Sequence, residues 1–231
     1  MDQFENNVYD DTAGLTQVYN RVFGLVAAAV GVSALTVLAL QTIFYNVFVA
    51  FTSNGILYFG AVAVELILVF VLGRSAMKDT GFATIGLFLF AILNGFTLSI
   101  IIAAYTSADV LGAFVGSAAM FAGMSLYGAF TKRDLSAIGR ASMGLVIGLL
   151  VSMFLNAFIL HSSAVTMLIS CLGVLIFAAV TAWDSSKIKT FYNSGQATNG
   201  ITAYLALSLY LDFINIFIFL LQIFGGGSSK K

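Results

Sequence analysis

The chain of 231 residues has no proline, one cysteine, one histidine and few charges, with ten basic and ten acidic residues making up 9% of it. Each shortage excludes something. Soluble domains carry about 25% charged residues, so this chain lacks the polar surface to cover a globule in water. A formal net charge of zero provides no field to draw it to nucleic acid, and no such partner is expected. The lone Cys171 cannot form an intramolecular disulfide. One cysteine and one histidine cannot build a zinc site from nitrogen and sulfur ligands. Without proline, the usual device for kinking a buried helix is missing.

What is abundant is apolar: 60% of the residues are hydrophobic. A bilayer core of about 30 Å needs about 20 apolar residues per helix. Runs of that kind cover 22–40, 56–73, 82–105, 110–130, 141–160, 165–183 and 201–224. The strict alternation of a membrane β-barrel is missing. The expected fold is an all-α integral membrane protein of seven transmembrane helices. The expected division is an N-terminal cytoplasmic segment over 1–21, a transmembrane domain over 22–224 and a flexible tail over 225–231. The first residues carry Asp2, Glu5, Asp10 and Asp11 where a cleaved secretion signal would carry basic residues, so the first span is expected to be retained.

Orientation follows the basic residues. Arg21, Arg74, Lys78, Lys132, Arg133, Arg140, Lys187 and Lys189 fall in the N-terminal segment or in the second, fourth and sixth loops, and the other loops have none. The N-terminus is therefore expected in the cytoplasm. Seven spans put Lys230 and Lys231 outside, unless the last helix is re-entrant. Gly112/Gly116 and Gly144/Gly148 have the four-residue spacing of close helix packing.

An ionisable residue inside a span costs roughly 2.5 to 3.5 kcal/mol on insertion scales and is a functional hypothesis by default. Glu65 is near the middle of the second span, Asp212 is at the middle of the seventh, and Asp184 closes the sixth. Three acids with Arg74 at a boundary suggest a cation path, a proton-linked switch or a structural ion pair. No strong helix breaker precedes Gly195. If the sixth span runs to about Asn193, Asp184 lies roughly 13 Å from its end, and Asp212 lies roughly 18 Å from Gly200 on the returning helix. Antiparallel neighbours would bring the two carboxyls to similar height, where both cannot ionise easily. Arg74 could pair with Asp184 from the same side.

The seventh span also carries Ser208, Asp212, Asn215 and Gln222 on one helical face. Such a stripe must avoid lipid, which places this helix at the centre of the bundle or along a cavity. Ser208 and Asn215, with Glu65, are candidates for an ion path; simple bonding to neighbouring helices is the structural alternative. Asn94, Thr97 and Asn156 are expected to make interhelical hydrogen bonds, and His161 to be solvated in an outer loop. Catalysis has little support: no span holds a lysine for a Schiff base, and there is no phosphate-binding G-x-x-x-x-G-K loop.

Three segments carry a family resemblance. ALSLYLDFINIFIFLLQIFG (206–225) closely resembles the last helix of the Bax inhibitor family. TAWDSSKIK (181–189) resembles its sixth-helix motif, with Trp183 where tyrosine is usual, and MSLYGAFTKRDLS (124–136) is similar to the fourth span and following loop of bacterial members. The resemblance implies a seven-helix bundle whose last helix is wrapped by the others, in the cytoplasmic (inner) membrane of a bacterium. It further implies a pH-sensitive calcium leak channel with no cofactor, the bilayer, protons and Ca²⁺ being its partners. The family's proton-sensing aspartate pair falls on Asp184 and Asp212, which would also hold Ca²⁺ weakly and transiently. Glu65 matches the acid of the second helix. The arginine latch falls on Arg74, nine residues after Glu65, a shorter interval than the family's; Lys78 is the alternative, or the latch is absent. Some relatives are understood to modulate a membrane protease. On that rival reading Lys132, Arg133 and the N-terminal segment would contact a partner, and the buried acids would be structural.

Overall fold

The computed structural model describes the backbone of residues 2–76 and 82–226 and the side chains of 13–75 and 82–226. Lys78, Lys230 and Lys231 lie outside the described residues, as do the side chains of Asp2, Glu5, Asp10 and Asp11. The described residues form eight α-helices and no strand: α1 (Asp2–Thr42), α2 (Tyr45–Ser53), α3 (Gly55–Ala76), α4 (Phe82–Ile102), α5 (Ser107–Phe130), α6 (Ser136–Leu155), α7 (Ser163–Asn193) and α8 (Asn199–Gly226). Seven are long and apolar enough to cross a membrane, and they match the seven apolar runs. The exception is α2, a nine-residue helix that the sequence reading did not anticipate.

The helix ends follow local chemistry. Thr106 and Asp109 form a capping box at the start of α5, each side chain accepting from the other's backbone N–H. At the end of α7, Gly195 takes φ +69°. Its N–H donates to Tyr192 O at 2.9 Å, and that of Gln196 donates to Phe191 O at 3.0 Å. This double bond pattern is the Schellman closure, which needs a residue tolerant of the left-handed region; the helix therefore runs to Asn193, as the absence of an earlier breaker suggests. Helix α6 ends in a π-helical turn, Asn156–Leu160. Asn156 Nδ2 donates to Thr166 Oγ1 at 2.8 Å, an interhelical bond of the expected kind, and its Oδ1 accepts from Ser162 N at 3.1 Å.

The chain forms two compact units. The first contains residues 1–104 and 188–210, and the second contains 105–187 and 211–231. The boundaries fall inside α7 and α8, so each of these helices contributes to both.

In the first unit, α1 packs on α4 and α3 packs on α4. Gly95 sets the α1–α4 approach, because a Cβ there would lie 2.9 Å from Ser33 O and 2.6 Å from Thr36 Cβ. The buried core contains Val22, Val26, Ala29, Leu87, Phe90 and Ala91. In the second unit, Leu149, Ile169, Val174 and Phe219 form a core cluster, and Phe213 stacks edge-on with Phe114 and Phe121 at 5.8 and 5.7 Å. Gly112 and Gly116 make room for Phe224 and Leu220 of α8, as their spacing suggests, whereas Gly144 and Gly148 face open space. Close packing thus holds for one glycine pair and not for the other.

Helix α8 is the most buried of the spans. Within its most apolar window 67% of residues are buried, against 11% to 50% in the other six, the burial expected of a central helix.

Candidate functional site

The two aspartates lie in the second unit. Asp184 is 5% exposed and Asp212 is 3% exposed. Helices α7 and α8 pair antiparallel here. Ser170 Oγ donates to Gln222 Oε1 at 2.6 Å, Gly173 seats the ring of Phe219, and Phe177 meets that ring at 5.9 Å. Carried along both helices, the first two contacts put Asp212 opposite residue 180 and the third puts it opposite residue 184, so the two carboxyls lie within one helical turn of the same level.

Their partners differ. Lys187 Nζ donates to Asp184 Oδ1 at 2.6 Å, the one ion pair among the described residues. Lys187 stands three residues on in the same helix, a spacing that makes side chains neighbours. Its ammonium also sits 3.4 Å from the centre of the Trp183 ring, a cation–π contact. The ring in turn lies against Gly139 of α6, where any Cβ would strike it. Asp212 Oδ2 is buried with no hydrogen-bond partner, and the same holds for Ser125 Oγ on α5. The backbone of Ser125 is engaged, its carbonyl accepting from Ser185 Oγ at 2.7 Å. Buried polar atoms in folded proteins are almost always bonded; of the three exceptions among the described residues, Tyr19 Oη, Ser125 Oγ and Asp212 Oδ2, only the last belongs to an acid.

Arg74 stands exposed in the last turn of α3, in the first unit. The basic group that holds Asp184 is thus Lys187, which the sequence reading counted only as a loop-side positive charge. The spacings Trp183–Lys187 and Asp184–Lys187 were the available signal. On α8, Asn215 is half-buried and its Nδ2 donates to Leu211 O of its own helix at 2.8 Å. Ser208 is also half-buried, and Gln222 is occupied by Ser170.

Glu65 belongs to the first unit and to a different environment. It is half-buried, and its carboxyl accepts from Thr97 Oγ1 at 2.9 Å and from Asn94 Nδ2 at 3.4 Å. Tyr210 Oη donates to Asn94 Oδ1 at 2.8 Å and lies 2.7 Å from Ser33 Oγ. Ser33 Oγ is itself 2.8 Å from Ala91 O. Asn94 and Thr97 thus bond between helices as expected. Tyr210, wholly buried with its ring edge-on to Phe90 at 6.0 Å, ties α8 to α1 and α4. Sequence reasoning missed it because a tyrosine in an apolar run reads as part of the run.

No cluster of three or more His, Cys, Asp or Glu residues that could hold a metal ion occurs among the described residues.

Residues 15–229 match the family model described as Inhibitor of apoptosis-promoting Bax1. The chain is 43% identical over 232 residues to the uncharacterised protein YrjE of Lactococcus lactis, covering 98% of this chain and 99% of that one. An uncharacterised membrane protein of Streptococcus pyogenes is 43% identical over 215 residues, covering 92% and 93% of the two chains. The inner membrane protein YbhL of Escherichia coli is 35% identical over 236 residues, covering 97% and 99%. With seven apolar helices and relatives of this kind at full length, the chain is a multi-pass membrane protein and belongs to the Bax inhibitor family.

Proposed function

We propose that this chain is a passive, pH-sensitive cation leak, with Ca²⁺ as the permeant ion and the Asp184–Asp212 pair as its proton-operated gate. The observation that supports the reading most directly is the unpartnered Oδ2 of Asp212, buried within one helical turn of the level of Asp184 on the antiparallel helix. Two such groups resist double ionisation, so they hold or release a shared proton as a unit. A buried carboxyl with an unfilled bonding position can take up a new partner at little structural cost. That is what a bistable gate requires.

Calcium prefers six to eight oxygen ligands. Two aspartates cannot supply that shell, so water and neutral oxygens must complete it, with Asn215 of the same unit as a candidate. A weak site favours a leak, because an ion held tightly would not move on. Lys187 takes the counter-ion part that the family resemblance gave to Arg74. The even-numbered loops, which hold Arg74, Lys78, Lys132, Arg133, Arg140, Lys187 and Lys189, and the N-terminal segment with Arg21 face the cytoplasm on this reading, in a bacterial inner membrane.

The test is Ca²⁺ flux into liposomes containing only this protein, from about pH 6 to about pH 8, beside Asp212→Asn. A flux that varies with pH and loses the variation in the variant supports the gate, since the amide can no longer exchange a proton. Absence of flux above empty liposomes at every pH overturns it. The chain would then be a membrane interaction protein, and a search for a partner such as a membrane protease would follow.

A further inference from the structure

The segment joining the first two spans holds the largest charge-free stretch with an unexplained surface. From Ile43 to Val64 there is no charged residue. Within it, α2 has no buried residue at all. Ile43, Phe44, Tyr45, Val47 and Val49 are exposed, and Ile56, the first apolar side chain of α3, is 83% exposed. Only Phe48 and Phe51 are half-buried. Phe51 packs on Phe96 of α4 at 5.5 Å, and Phe48 packs on Tyr45 at 5.9 Å.

Length decides where this helix can lie. The apolar run of α1 begins at Val22, after Arg21, and the helix ends at Thr42, a stretch of about 31 Å at 1.5 Å per residue. The hydrocarbon core of a bilayer is about 30 Å thick, so α1 has already reached the far interface when it ends. Nine residues make a helix of about 14 Å, too short to return. The breaks on both sides are tight. At one, Ile43 N and Phe44 N both donate to Ala39 O. At the other, Asn54 begins the next helix, its Oδ1 accepting from Ile56 N at 3.0 Å. Helix α2 is thereby held at the level where the first span ends and the second begins.

Its side chains are sorted around the axis. At 100° per residue, Val47, Phe51, Phe44, Phe48, Tyr45 and Val49 cover one broad arc, and Asn46, Ser53 and Ala50 cover the opposite one. The polar groups at the C-terminal end are satisfied locally, with Ser53 Oγ donating to Val49 O at 2.7 Å and Thr52 Oγ1 to the same oxygen at 3.0 Å. The spans on either side also carry exposed apolar residues, Leu35 and Leu38 on α1 and Ile56 and Phe59 on α3, which in a membrane protein face lipid. Aromatic side chains with a polar tip, such as Tyr45, favour the headgroup level. The arc carries no charge, and its polar groups are the Tyr45 hydroxyl and Thr52, which is bonded within its own helix, so it offers little to a protein partner that relies on electrostatic complementarity.

We propose that α2 is an interfacial helix whose partner is the bilayer itself: it lies along the membrane surface at the boundary between headgroups and acyl chains, with Tyr45 and Val49 in the lipid and Asn46 and Ser53 toward water. The assignment is independent of any ion flux.

Because Cys171 is the chain's one cysteine, the test can use single-site nitroxide labels. In a Cys171→Ser background the full chain is reconstituted in liposomes, with a label at Tyr45→Cys, Asn46→Cys, Val49→Cys or Ser53→Cys. Collision with oxygen, which concentrates in lipid, is compared with collision with a water-soluble nickel chelate. Labels at 45 and 49 are expected to favour oxygen by several-fold, and those at 46 and 53 to favour the nickel chelate. Equal and high nickel access at all four positions would overturn the proposal in favour of a water-exposed loop. Low access to both reagents, with spin–spin broadening that vanishes on dilution with unlabelled protein, would overturn it in favour of contact between two copies. Should a cysteine variant fail to fold, a tryptophan at position 45 in a Trp183→Phe background, quenched by lipids brominated at shallow or deep positions, decides the same question: shallow quenching supports the interface, and quenching by aqueous iodide alone overturns it.

Discussion

Glu65 in one unit and Asp212 in the other are both acids placed inside spans of low polarity, and their surroundings differ in kind. Glu65 accepts two hydrogen bonds, and the donors are held in turn: Asn94 by Tyr210, and Tyr210 beside Ser33. Asp212 is more deeply buried, yet one of its oxygens has no partner. A satisfied carboxyl in a closed network acts as a cross-link, because any change in it leaves several buried groups unpaired at once. An unsatisfied one stores a cost that a proton, a water or a cation relieves. The same residue class therefore serves rigidity in the first unit and responsiveness in the second, and what separates the two is how many donors the neighbouring helix supplies.

The sharpest way to break this comparison is to neutralise each acid. Asp212→Asn is expected to remove the pH dependence of flux altogether while leaving the thermal midpoint in detergent unchanged or higher, since no hydrogen bond at Oδ2 is lost. Glu65→Gln is expected to do the reverse. The amide turns an NH₂ toward Asn94 Nδ2, so about one hydrogen bond is lost, on the order of 1 kcal/mol, and the flux profile keeps its pH midpoint whatever happens to its amplitude. If both variants behaved alike in both assays, the distinction would be wrong.

A smaller effect is expected from Tyr210→Phe, which removes one oxygen from the Glu65 network and keeps the ring against Phe90. Asn94 Oδ1 loses its donor, and the cost should be about 0.6 kcal/mol, the average for an interhelical hydrogen bond in a membrane protein. Thermal unfolding would register it. A double variant with Glu65→Gln should cost less than the sum of the two, because both changes dismantle one network.

Smaller again is the expected effect of the counter-ion on Asp184. Lys187→Met removes the cation 2.6 Å from the carboxyl, which makes protonation easier and should move the flux profile toward higher pH. Arg74→Met should leave the profile where it is. Lys187→Arg should restore most of it, because the charge is kept. The chain has one tryptophan, and Lys187 lies over its ring. The emission of Trp183 should therefore change in Lys187→Met and not in Arg74→Met, a readout that works whether or not ions flow.

Much of this was legible in the sequence, and the limits were physical. The seven spans follow from apolar runs alone, since only a helix satisfies its own backbone in lipid. The depths of Asp184 and Asp212 could be counted from helix ends, and the similar height expected from them agrees with contacts that put the two within one helical turn of each other. Helix α2 escaped because a nine-residue segment with six apolar side chains falls between two spans and is too short to count as one; what sets it apart is the pair of tight breaks at 43–44 and 54, which carry neither proline nor charge. Tyr210 and Ser33 escaped because a hydroxyl in an apolar run matters only once a partner helix is known. Lys187 was visible, but its distance from the helix end suggested a solvated charge, and only packing shows it folded back over Trp183.

The smallest expected effect comes from an acid outside the membrane, and it completes the contrast. Asp134, before α6, is fully exposed. Its Oδ1 accepts from Ser136 N at 2.8 Å, and the hydrogen bonds from Ser136 hold its carboxyl below the ordinary aspartate range. A carboxyl whose folded value is depressed adds stability at pH above its unfolded value and loses it as pH falls through the folded one. The contribution is therefore present at neutral pH and lost in acid, the direction in which Asp134→Ala should flatten the acid limb of a stability profile. Solvent screening keeps it slight. Flux should be indifferent to this variant, because donors fully satisfy an exposed carboxyl without coupling it to any buried partner. If Asp134→Ala moved the flux midpoint as far as Lys187→Met does, the gate would be reading charge on the α5–α6 loop rather than charge at Asp184, and the unpartnered oxygen of Asp212 would be a packing defect rather than a switch.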